Sequence, residues 1–400
     1  MSLVNYKPQF DNTYQEVFQK VLVAKKIANL RFEPILKYGE SVERVAYDIS
    51  GVRVRSVVRG SASTIDSVTD TSELLNINLE KEAVFHISDG EVKQAGPLNP
   101  GEVIGGQVAI KIAIDFDARV FAEVLNAAYT FDTGDLTTMA STGVPFTENS
   151  TTVPQMATMM PAKLRRNNQM LSNLCFVTDS YGAANMAQYL LGKNIDLAGS
   201  VYANGYTGDV SNAEMYISEN LTGTAVLGLA TTPTNGDTVT INGVVFTFVT
   251  SIGVAAGNVL IGGSADVARA NLTALINAPG TTNANQVALS AANQVLLTDA
   301  LKLSAVNDNT ADTMTITGIG SGALTVSKVL TAGGDAWSKN CIHAYFGKKG
   351  AIDAVMQDMK EVEMLKTSDR RGTNVFSSYL AGIKTFSDGS KKFLNVLLAR

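Results

Sequence analysis

One long segment constrains the fold more than any other part of this sequence. Between residues 99 and 129 the apolar side chains recur every four positions, which is the spacing of one face of an α-helix. Asn99 can cap this helix, and Pro100 suits its first turn. About thirty residues at 1.5 Å each predict a helix of about 45 Å, which is long for a compact domain. Other parts of the chain must therefore lie along it.

A strand is the competing interpretation for part of this segment, because "VAIKIAIDF" alternates apolar and polar residues. The wider window favours the helix, since two apolar rows follow the i, i+4 spacing. The first row is Ile104, Val108, Ile112, Phe116, Val120 and Val124, and the second is Ile110, Ile114, Ala118, Phe121 and Leu125.

The preceding region, residues 45–94, predicts an extended β-arm. "VAYDISGVRVRSVVRG" alternates as a half-solvated strand does, the tip "SASTIDSVTDTSE" is polar, and "LLNINLEKEAVFHISDG" alternates again on the return. Two long strands contain too little core to be stable alone. We therefore expect this arm to lie on a partner surface.

Short local signals predict the elements on either side. Thr13 and Glu16 form a capping box for an N-terminal helix that Pro34 ends. "LCFVT" predicts a buried strand, followed by a helix capped by Asp179 or Ser180, and "EMYIS" predicts a short strand after it.

From Thr222 to about Gly334 the composition changes to Thr, Asn, Ala, Gly and Val, with Arg269 as the only arginine. Asn242-Gly243 between two β-rich runs predicts a hairpin with a type I′ turn. A helix over "SADVARANLTALINA" and strands over "NQVALS", "LKLSAV", "TMTITG" and "LTVSKVL" follow. On the helix, the residues expected to pack are Val267, Ala270, Leu272 and Leu275. We interpret this region as a small β-rich module inserted into a host domain, so its ends should lie close together.

Composition and the termini limit the possible functions. The 400-residue chain has a formal net charge of −5, which argues against a dedicated nucleic-acid binder but allows local contact with a packaged polyanion. Cys175 and Cys341 lie in apolar surroundings and should be free thiols. There is no apolar signal segment and no membrane-spanning run, and a chain that begins at Met1 argues against removal of an N-terminal piece.

Residues suited to catalysis do not converge in this sequence. His86 and His343 are the only histidines, too few for a histidine-based metal site or a Ser-His-Asp arrangement. "GIGSG" at residues 318–322 does not open a helix and is interpreted as a turn. We expect no enzymatic activity, no metal and no cofactor.

The order of these segments resembles that of the major capsid protein of tailed double-stranded DNA bacteriophages, which has the Hong Kong 97-like fold. The order is a helix, the arm, the long helix, a strand followed by a helix, the inserted module and the return of the host domain. The resemblance implies an α+β chain with an axial domain, a peripheral domain with a long spine helix, an extended arm (E-loop) and an N-terminal arm. The inserted module is expected to be immunoglobulin-like or sandwich-like, with one helix. The implied divisions are an N-terminal arm at 1–44, the E-loop at 45–94, the peripheral domain at 95–170 with the spine helix at 99–129, the first axial part at 171–221, the module at 222–334 and the return at 335–400.

The same resemblance implies a structural protein that self-assembles, through hexamers and pentamers, into an icosahedral shell around double-stranded DNA. Scaffolding, portal and decoration proteins would be its partners, and the module would project outward. Assembly would take place in the host cytoplasm, and the protein would end in the virion, without membrane contact. The alternatives left open are a phage tail or surface protein with a binding module, an enzyme, and the shell of a cytoplasmic nanocompartment.

Charged residues supply the candidate contact sites. An arm laid over a neighbour needs a defined register, which charge pairing can supply. The candidates for contacts between subunits are Arg53, Arg55, Arg59, Glu80, Glu82, Asp115 and Asp117, and the candidates for facing DNA are Lys25, Lys26 and Arg31.

Overall fold

The computed structural model shows a mixed α+β chain, as predicted, divided into two compact units. It describes residues 23–34, 39–48, 51–56, 59–60, 62, 65–88, 100–169, 171–191, 206–210, 213–331, 335–366 and 371–400. The first unit contains the described residues of Ala28–Ile112 and Gly350–Ser390, and the second those of Val21–Ile27, Ala113–Lys349 and Lys391–Arg400. The capping box at Thr13 lies outside the described residues.

The first unit combines a two-stranded ribbon with a three-stranded sheet. The ribbon pairs β1 (Ser41–Asp48) with β2 (Thr69–Asn76) in antiparallel register, from Ser41 opposite Asn76 to Asp48 opposite Thr69. The sheet has the order β16-β17-β3. Its strands are β3 (Leu79–Ser88), β16 (Asp353–Lys366) and β17 (Gly372–Lys384). Phe32, Leu75, Val355 and Phe386 form a small buried core in this unit.

The return strand predicted for the arm is divided between these two sheets. β2 ends at Asn76, and the chain from Leu79 onward pairs with β17 instead. Leu75 marks the division, because it is buried in the unit's core. The paired part of the arm is therefore shorter than residues 45–94.

The predicted long helix is present as α2 (Pro100–Ala122) and contributes residues to both units. It ends earlier than predicted, in a 3₁₀ turn at Glu123–Asn126, and Tyr129 already belongs to strand β4 (Tyr129–Phe131). The first apolar row is buried from Val108 to Val124, as far as its side chains are described. The second row is divided, with Ala118 and Phe121 buried and Ile110, Ile114 and Leu125 exposed.

The second unit is built on a nine-stranded sheet around β15 (Ala336–Lys348), with the order β12-β13-β8-β15-β5-β7-β6. The first half of β15 pairs with β8 (Thr222–Gly228), and its last residues pair with β5 (Leu174–Thr178). β18 (Phe393–Ala399) pairs with β15 as well, and β4 follows beside β18. β8 and β5 thus pair with successive parts of the same long strand, β15.

The strand over "LCFVT" and the helix after it agree with the prediction. The Asp179 carboxylate accepts a hydrogen bond from the Gly182 amide at the start of the helix after β5, so Asp179 is the cap. The remaining helices are α1 (Ala24–Ile27), α3 (Thr152–Arg166), α4 (Ser180–Leu191), α5 (Ala265–Asn277) and α6 (Ala291–Val295), and α7 (Ser387–Ser390) lies in the first unit. The remaining strands are β6 (Tyr206–Val210), β7 (Ala213–Ile217), β9 (Thr238–Ile241), β10 (Val244–Val249), β11 (Asn258–Leu260), β12 (Leu303–Asp308), β13 (Thr313–Gly318) and β14 (Val326–Val329).

The β-rich region has its own four-stranded sheet, with the order β11-β10-β9-β14, and its own buried core. The predicted hairpin is confirmed, because β9 and β10 pair across Asn242 and Gly243, whose φ angles are 47° and 83°. β8, β12 and β13 belong to the larger sheet instead. Gly228 pairs with Ala336, so the chain leaves β8 and returns to β15 side by side, while Thr222, the predicted first residue of the region, lies further along β15, opposite His343.

Two details of the β-rich region differ from the prediction. "NQVALS" is an irregular segment that hydrogen-bonds to the edge of β11 through Val287 and Asn285, rather than a regular strand. On α5, Leu272 and Leu275 are buried as expected, but Val267 and Ala270 are exposed and Arg269 is fully buried. The helix is rotated toward Arg269 because that side chain bonds three other parts of the region.

The two cysteines and His343 lie in the interior of the second unit. Cys175 and Cys341 are free and buried, as predicted. His343 bonds Thr224 through Nε2 and Asn395 through Nδ1, both at 2.8 Å. His86, in the first unit, is paired with Asn374 at 2.7 Å. The "GIGSG" segment is a turn in which Gly320 and Gly322 have positive φ angles.

Candidate assembly surfaces

The β1–β2 ribbon and its tip carry apolar side chains that the first unit does not cover. Val54 and Ile65, in the tip, have relative exposures of 105% and 92%, and Val45 and Leu74 on the paired strands are about half exposed. An isolated two-stranded ribbon is at best marginally stable in water. Clustered exposed apolar residues mark surfaces that bind another protein. The arm is therefore a candidate docking element.

An internal ion pair organises the tip of the arm. Asp66 accepts a hydrogen bond from the Arg53 backbone amide at 2.8 Å and from the Arg55 guanidinium at 2.6 Å. Arg55 thus has a partner within its own arm, and a contact between subunits at this residue stays a prediction. The Arg53 and Arg59 side chains are exposed.

Polar contacts fix the base of the arm to the rest of the first unit. Arg44 on β1 bonds Asp388 at 2.6 Å and lies 5.1 Å from the centre of the Phe386 ring. On β2, the Glu73 carboxylate accepts from the Ser387 amide at 3.0 Å, and the Leu74 carbonyl accepts from Lys384 Nζ at 2.8 Å. These contacts anchor the paired part of the arm to the rest of the first unit.

Glu80 and Glu82 do not belong to the arm. Both lie on β3, opposite Leu380 and Ser378 of β17, and both are exposed. Their carboxylates are therefore presented by the three-stranded sheet. A contact between subunits at these residues remains a prediction, now on a different surface.

Asp115 and Asp117 are engaged inside the second unit rather than on its surface. Asp115 pairs with Lys302 of the β-rich region at 2.5 Å and lies 3.9 Å from Arg119. Asp117 is buried and accepts hydrogen bonds from the amides of Val23 and Ala24 at 3.2 and 3.1 Å. Burial raises the pKa of the Asp117 carboxyl from 3.8 to about 7, although those hydrogen bonds lower it. This location corrects the expectation that Asp117 faces a neighbouring subunit.

The three residues predicted to face DNA are divided between the units. Lys25 and Lys26 lie on the short helix α1 of the second unit, where the Lys26 ammonium is 5.5 Å from the centre of the Tyr216 ring. Arg31 belongs to the first unit, and its guanidinium stacks on Phe32 at 4.5 Å. That these residues face DNA stays a prediction.

Sequence reasoning missed the roles of two polar residues, one in the β-rich region and one at its end. Arg269 bonds Asp312 and Asn307 at 3.1 Å, and also Asp266 and the Leu229 carbonyl. Asp335 accepts from Ala230 and Thr231 and so joins the two ends of the region. For Arg269, its place as the only arginine in a poorly charged region was the available signal.

The described residues contain no group of three or more His, Cys, Asp or Glu side chains that could hold a metal ion. In the same part of the chain, no helix is long and apolar enough to cross a membrane. The described residues instead form exposed surfaces, such as the arm, and buried polar contacts, such as those of Arg269 and Asp335.

No protein-family model and no curated protein matches this chain in sequence. Solved structures are similar to it. A chain from Mycobacterium phage Che8 has a TM-score of 0.47 at 12% identity, covering 93% of this chain and 90% of that one. A chain of the capsid structure of the cyanophage P-SCSP1u has a TM-score of 0.45 at 11% identity, covering 90% and 84%. A chain of the mature capsid of bacteriophage PhiM1 has a TM-score of 0.44 at 9% identity, covering 90% and 82%.

The chain is thus similar to phage capsid structures over 90% or more of its length. The identities are 12% or lower, and the TM-scores lie below 0.5.

Proposed function

We propose that this protein is the major capsid protein of a tailed double-stranded DNA phage, with a Hong Kong 97-like fold. The observation that carries the proposal is the arm, which combines a fixed base with an exposed apolar tip. The apolar side chains Val54 and Ile65 of the tip are left exposed by their own unit. The arm gains stability when its apolar side chains are buried on a second copy of the chain.

The long helix α2 and the three-stranded sheet support the same proposal. Under this proposal the helix is the spine helix, the three-stranded sheet belongs with it to the peripheral domain, and the nine-stranded sheet belongs to the axial domain. Ile110 and Ile114 add an exposed apolar strip to α2. Weak contacts of this kind, repeated over many symmetric copies, stabilise a closed shell.

The finer assignments belong to the same proposal. Copies of the chain would form hexamers and pentamers of an icosahedral shell in the host cytoplasm, with scaffolding, portal and decoration proteins as partners and duplex DNA inside. The β-rich region at 222–334 would be an inserted domain that projects outward. Its continuity with β15 supports a rigid attachment, because β8 pairs directly with that strand.

Electron microscopy and light scattering of the recombinant chain test the proposal. We expect shells, capsomers or curved sheets from the unchanged chain. The double variant Val54→Asp/Ile65→Asp should remain as monomers or isolated capsomers, because two charges replace the apolar contacts of the tip. Val254→Asp is the matched control, since Val254 is 97% exposed but lies in the β-rich region, and this variant should still assemble.

Two results would contradict the proposal. A dispersed monomer of about 42 kDa under all salt and crowding conditions would exclude a shell protein. Equal assembly by the arm variant and the control would exclude the arm as the docking element. Open tubes in place of shells would instead favour a tail protein, and shells without DNA in the producing cell would favour a nanocompartment.

A further inference from the structure

The β-rich region is built of two layers of strands, and the outer side of each layer is open to solvent. One layer is the sheet β11-β10-β9-β14, and the other is formed by β12, β13 and β8 at one end of the nine-stranded sheet. Inner side chains of both layers, such as Phe246 and Ile316, share one buried core. The outer side chains of the two layers therefore point in opposite directions. We name these two outer surfaces the front face and the back face.

The front face is the outer side of the four-stranded sheet. Val245 and Val329 on this face are 48% and 72% exposed. Thr240 lies between them in the sheet, because it pairs with Val245 on one side and with Ser327 on the other. The central residues of the front face are Thr238, Thr240, Val245, Thr247, Val249, Ser327 and Val329.

The back face is the outer side of β12, β13 and β8. Val306 is 67% exposed and lies opposite Thr315, which in turn lies opposite Val226. The central residues of the back face are Ser304, Val306, Asp308, Thr313, Thr315, Thr317 and Val226. Short threonine and valine side chains thus dominate both faces.

Charged side chains are nearly absent from both faces. Residues 222–334 contain eight of them, and on the described strands Asp308, at a corner of the back face, is the one that belongs to either face. Lys339, in the bulge of β15 beside the back face, has its ammonium near Gly143. The other seven lie on helical segments, in connections or on the inner side of β14, and they are Asp237, Asp266, Arg269, Asp299, Lys302, Asp312 and Lys328. Interface cores are depleted of charge in the same way.

Strand edges of both layers are already bonded, which leaves the faces as the open surfaces. The Ala305 amide of β12 donates to Asn277 Oδ1 at 2.8 Å, and its carbonyl accepts from Asn277 Nδ2 at 2.9 Å. Residues 285–287 bond the edge of β11, and the Trp337 indole donates to a carbonyl of β14 at 3.0 Å. Unpaired edges are the usual route by which sheets join. Contact through the faces is therefore favoured over strand addition.

We propose that the front face of one copy of this chain packs against the back face of the next copy. This inference rests on the proposed capsid function, which brings copies of the chain side by side. An uncharged face has no charged group to attract a partner of opposite charge, and the back face matches it in size and side-chain type. Because the two faces point in opposite directions, the contact is head-to-tail and closes a ring of copies.

The area of the faces supports a contact within an assembly rather than a free pair. Four strands about 4.8 Å apart and four residues of about 3.3 Å each give the front face about 250 Å². Stable pairs of free proteins bury about 800 Å² on each partner. The contact therefore needs copies that other surfaces already hold together.

Cysteine labelling tests the contact without assuming its register. Single variants place a cysteine on the front face (Val245→Cys), on the back face (Val306→Cys) and outside both (Val254→Cys), where Val254 is 97% exposed between β10 and β11. The rate of reaction with a maleimide is compared between assembled particles and the same particles dissociated by mild denaturant. Cys175 and Cys341 are buried, so the unchanged chain gives the background rate.

We expect Val245→Cys and Val306→Cys to react at least about tenfold more slowly in particles, the protection that a contact of about 1.4 kcal/mol gives. Val254→Cys should react at the same rate in both states. Adding Val245→Lys to Val306→Cys should remove the protection at residue 306, because a charge then enters the contact. Adding Thr315→Glu as well should restore it, since the two charges can pair across the contact.

The outcomes separate this contact from the capsid function. Equal rates at all three sites in closed particles would overturn the contact and leave the capsid function standing. Protection at residue 245 alone would overturn it too, because a front-to-front contact leaves the back face open. Protection found only in particles that contain other proteins would assign the faces to a different partner.

A chain that never assembles would overturn the capsid function, and labelling of the concentrated monomer would then decide the contact. Protection of both faces that rises with protein concentration would support the contact, and unchanged rates would overturn it. If Val245→Cys does not fold, Val329→Cys replaces it on the same face.

Discussion

Lys302 of the β-rich region and Asp115 of α2 form an ion pair at 2.5 Å, with both side chains about one-fifth exposed. In the same area a Cβ on Gly320 would lie 2.4 Å from the Ala118 Cβ. The β-rich region therefore contacts the long helix at two points, in addition to its strand pairing with β15. It is held by the second unit and is not only a projecting domain.

Loss of this ion pair should weaken the second unit measurably. We expect Lys302→Met to lower the free energy of unfolding by about 1 kcal/mol, since the pair is partly buried. Urea denaturation of Lys302→Met, Asp115→Asn and the double variant gives the coupling energy between the two residues. Lys328→Met, a half-buried lysine of the same region, is the control. A coupling energy of zero would show that the contact does not stabilise the fold.

Gly320 should resist any side chain. Gly320→Ala places a methyl group against Ala118 and requires an L-residue at a φ of 68°, so we expect a loss of about 2 kcal/mol. The double variant Gly320→Ala/Ala118→Gly should regain the stability that is lost to the clash. The stability lost to backbone strain at residue 320 should remain lost. Gly236→Ala measures the strain alone, because Gly236 has a φ of 94° and open space around it. Equal losses for Gly320→Ala and Gly236→Ala would refute close packing against α2.

Arg269 should be the most sensitive polar residue of the β-rich region. Its side chain is fully buried and connects α5 to Leu229, Asn307 and Asp312. We expect Arg269→Met to cost about 3 kcal/mol, because the buried Leu229 carbonyl loses its donor and the carboxylates lose their counter-charge. Arg269→Lys should recover little of this stability, since a single ammonium group cannot reproduce the planar set of donors of the guanidinium.

Thermal unfolding of the purified chain checks this prediction. Val267→Ala, on the exposed side of the same helix, is the matched control and should change stability by less than about 0.5 kcal/mol. Should Arg269→Met melt like that control, the arginine network would have no stabilising role.

His343 should make the fold sensitive to mild acid. Burial lowers the pKa of its imidazole from 6.5 to about 4, although the Asn395 hydrogen bond raises it. Between these values the unfolded chain binds a proton that the folded chain does not. The free energy of unfolding should therefore fall as the pH falls through this window, by up to about 3 kcal/mol.

Urea unfolding at pH 7, 5.5 and 4.5 measures this slope. His343→Gln should be less stable at pH 7, because one of its two hydrogen bonds is lost, but it should show a flatter pH dependence. Asp117 contributes the opposite slope, since its raised pKa favours the folded state at low pH. The comparison is therefore made between the variant and the unchanged chain. An unchanged slope in the variant would exclude His343 as its origin.

The sequence by itself determined the elements that local backbone preferences control. Asn242 and Gly243 adopt positive φ angles wherever they join two strands, so the hairpin was predictable from the dipeptide. Leu174–Thr178 forms the buried strand that its apolar run predicts, and Asp179 caps the helix that follows. The long helix followed from its i, i+4 spacing, because that period excludes a strand over so many residues.

Only the tertiary structure decided which surface each residue meets. Ile110 and Phe121 belong to one apolar row, yet only Phe121 is buried, because burial depends on what packs beside each turn. Periodicity could not show that β3 pairs with β17 and not with a strand of the arm, since its alternating pattern is compatible with both pairings. The burial of Arg269 depends on contacts with Leu229, Asn307 and Asp312, which lie far from it in the chain. Such contacts follow from strand pairing and packing, which local sequence patterns do not encode.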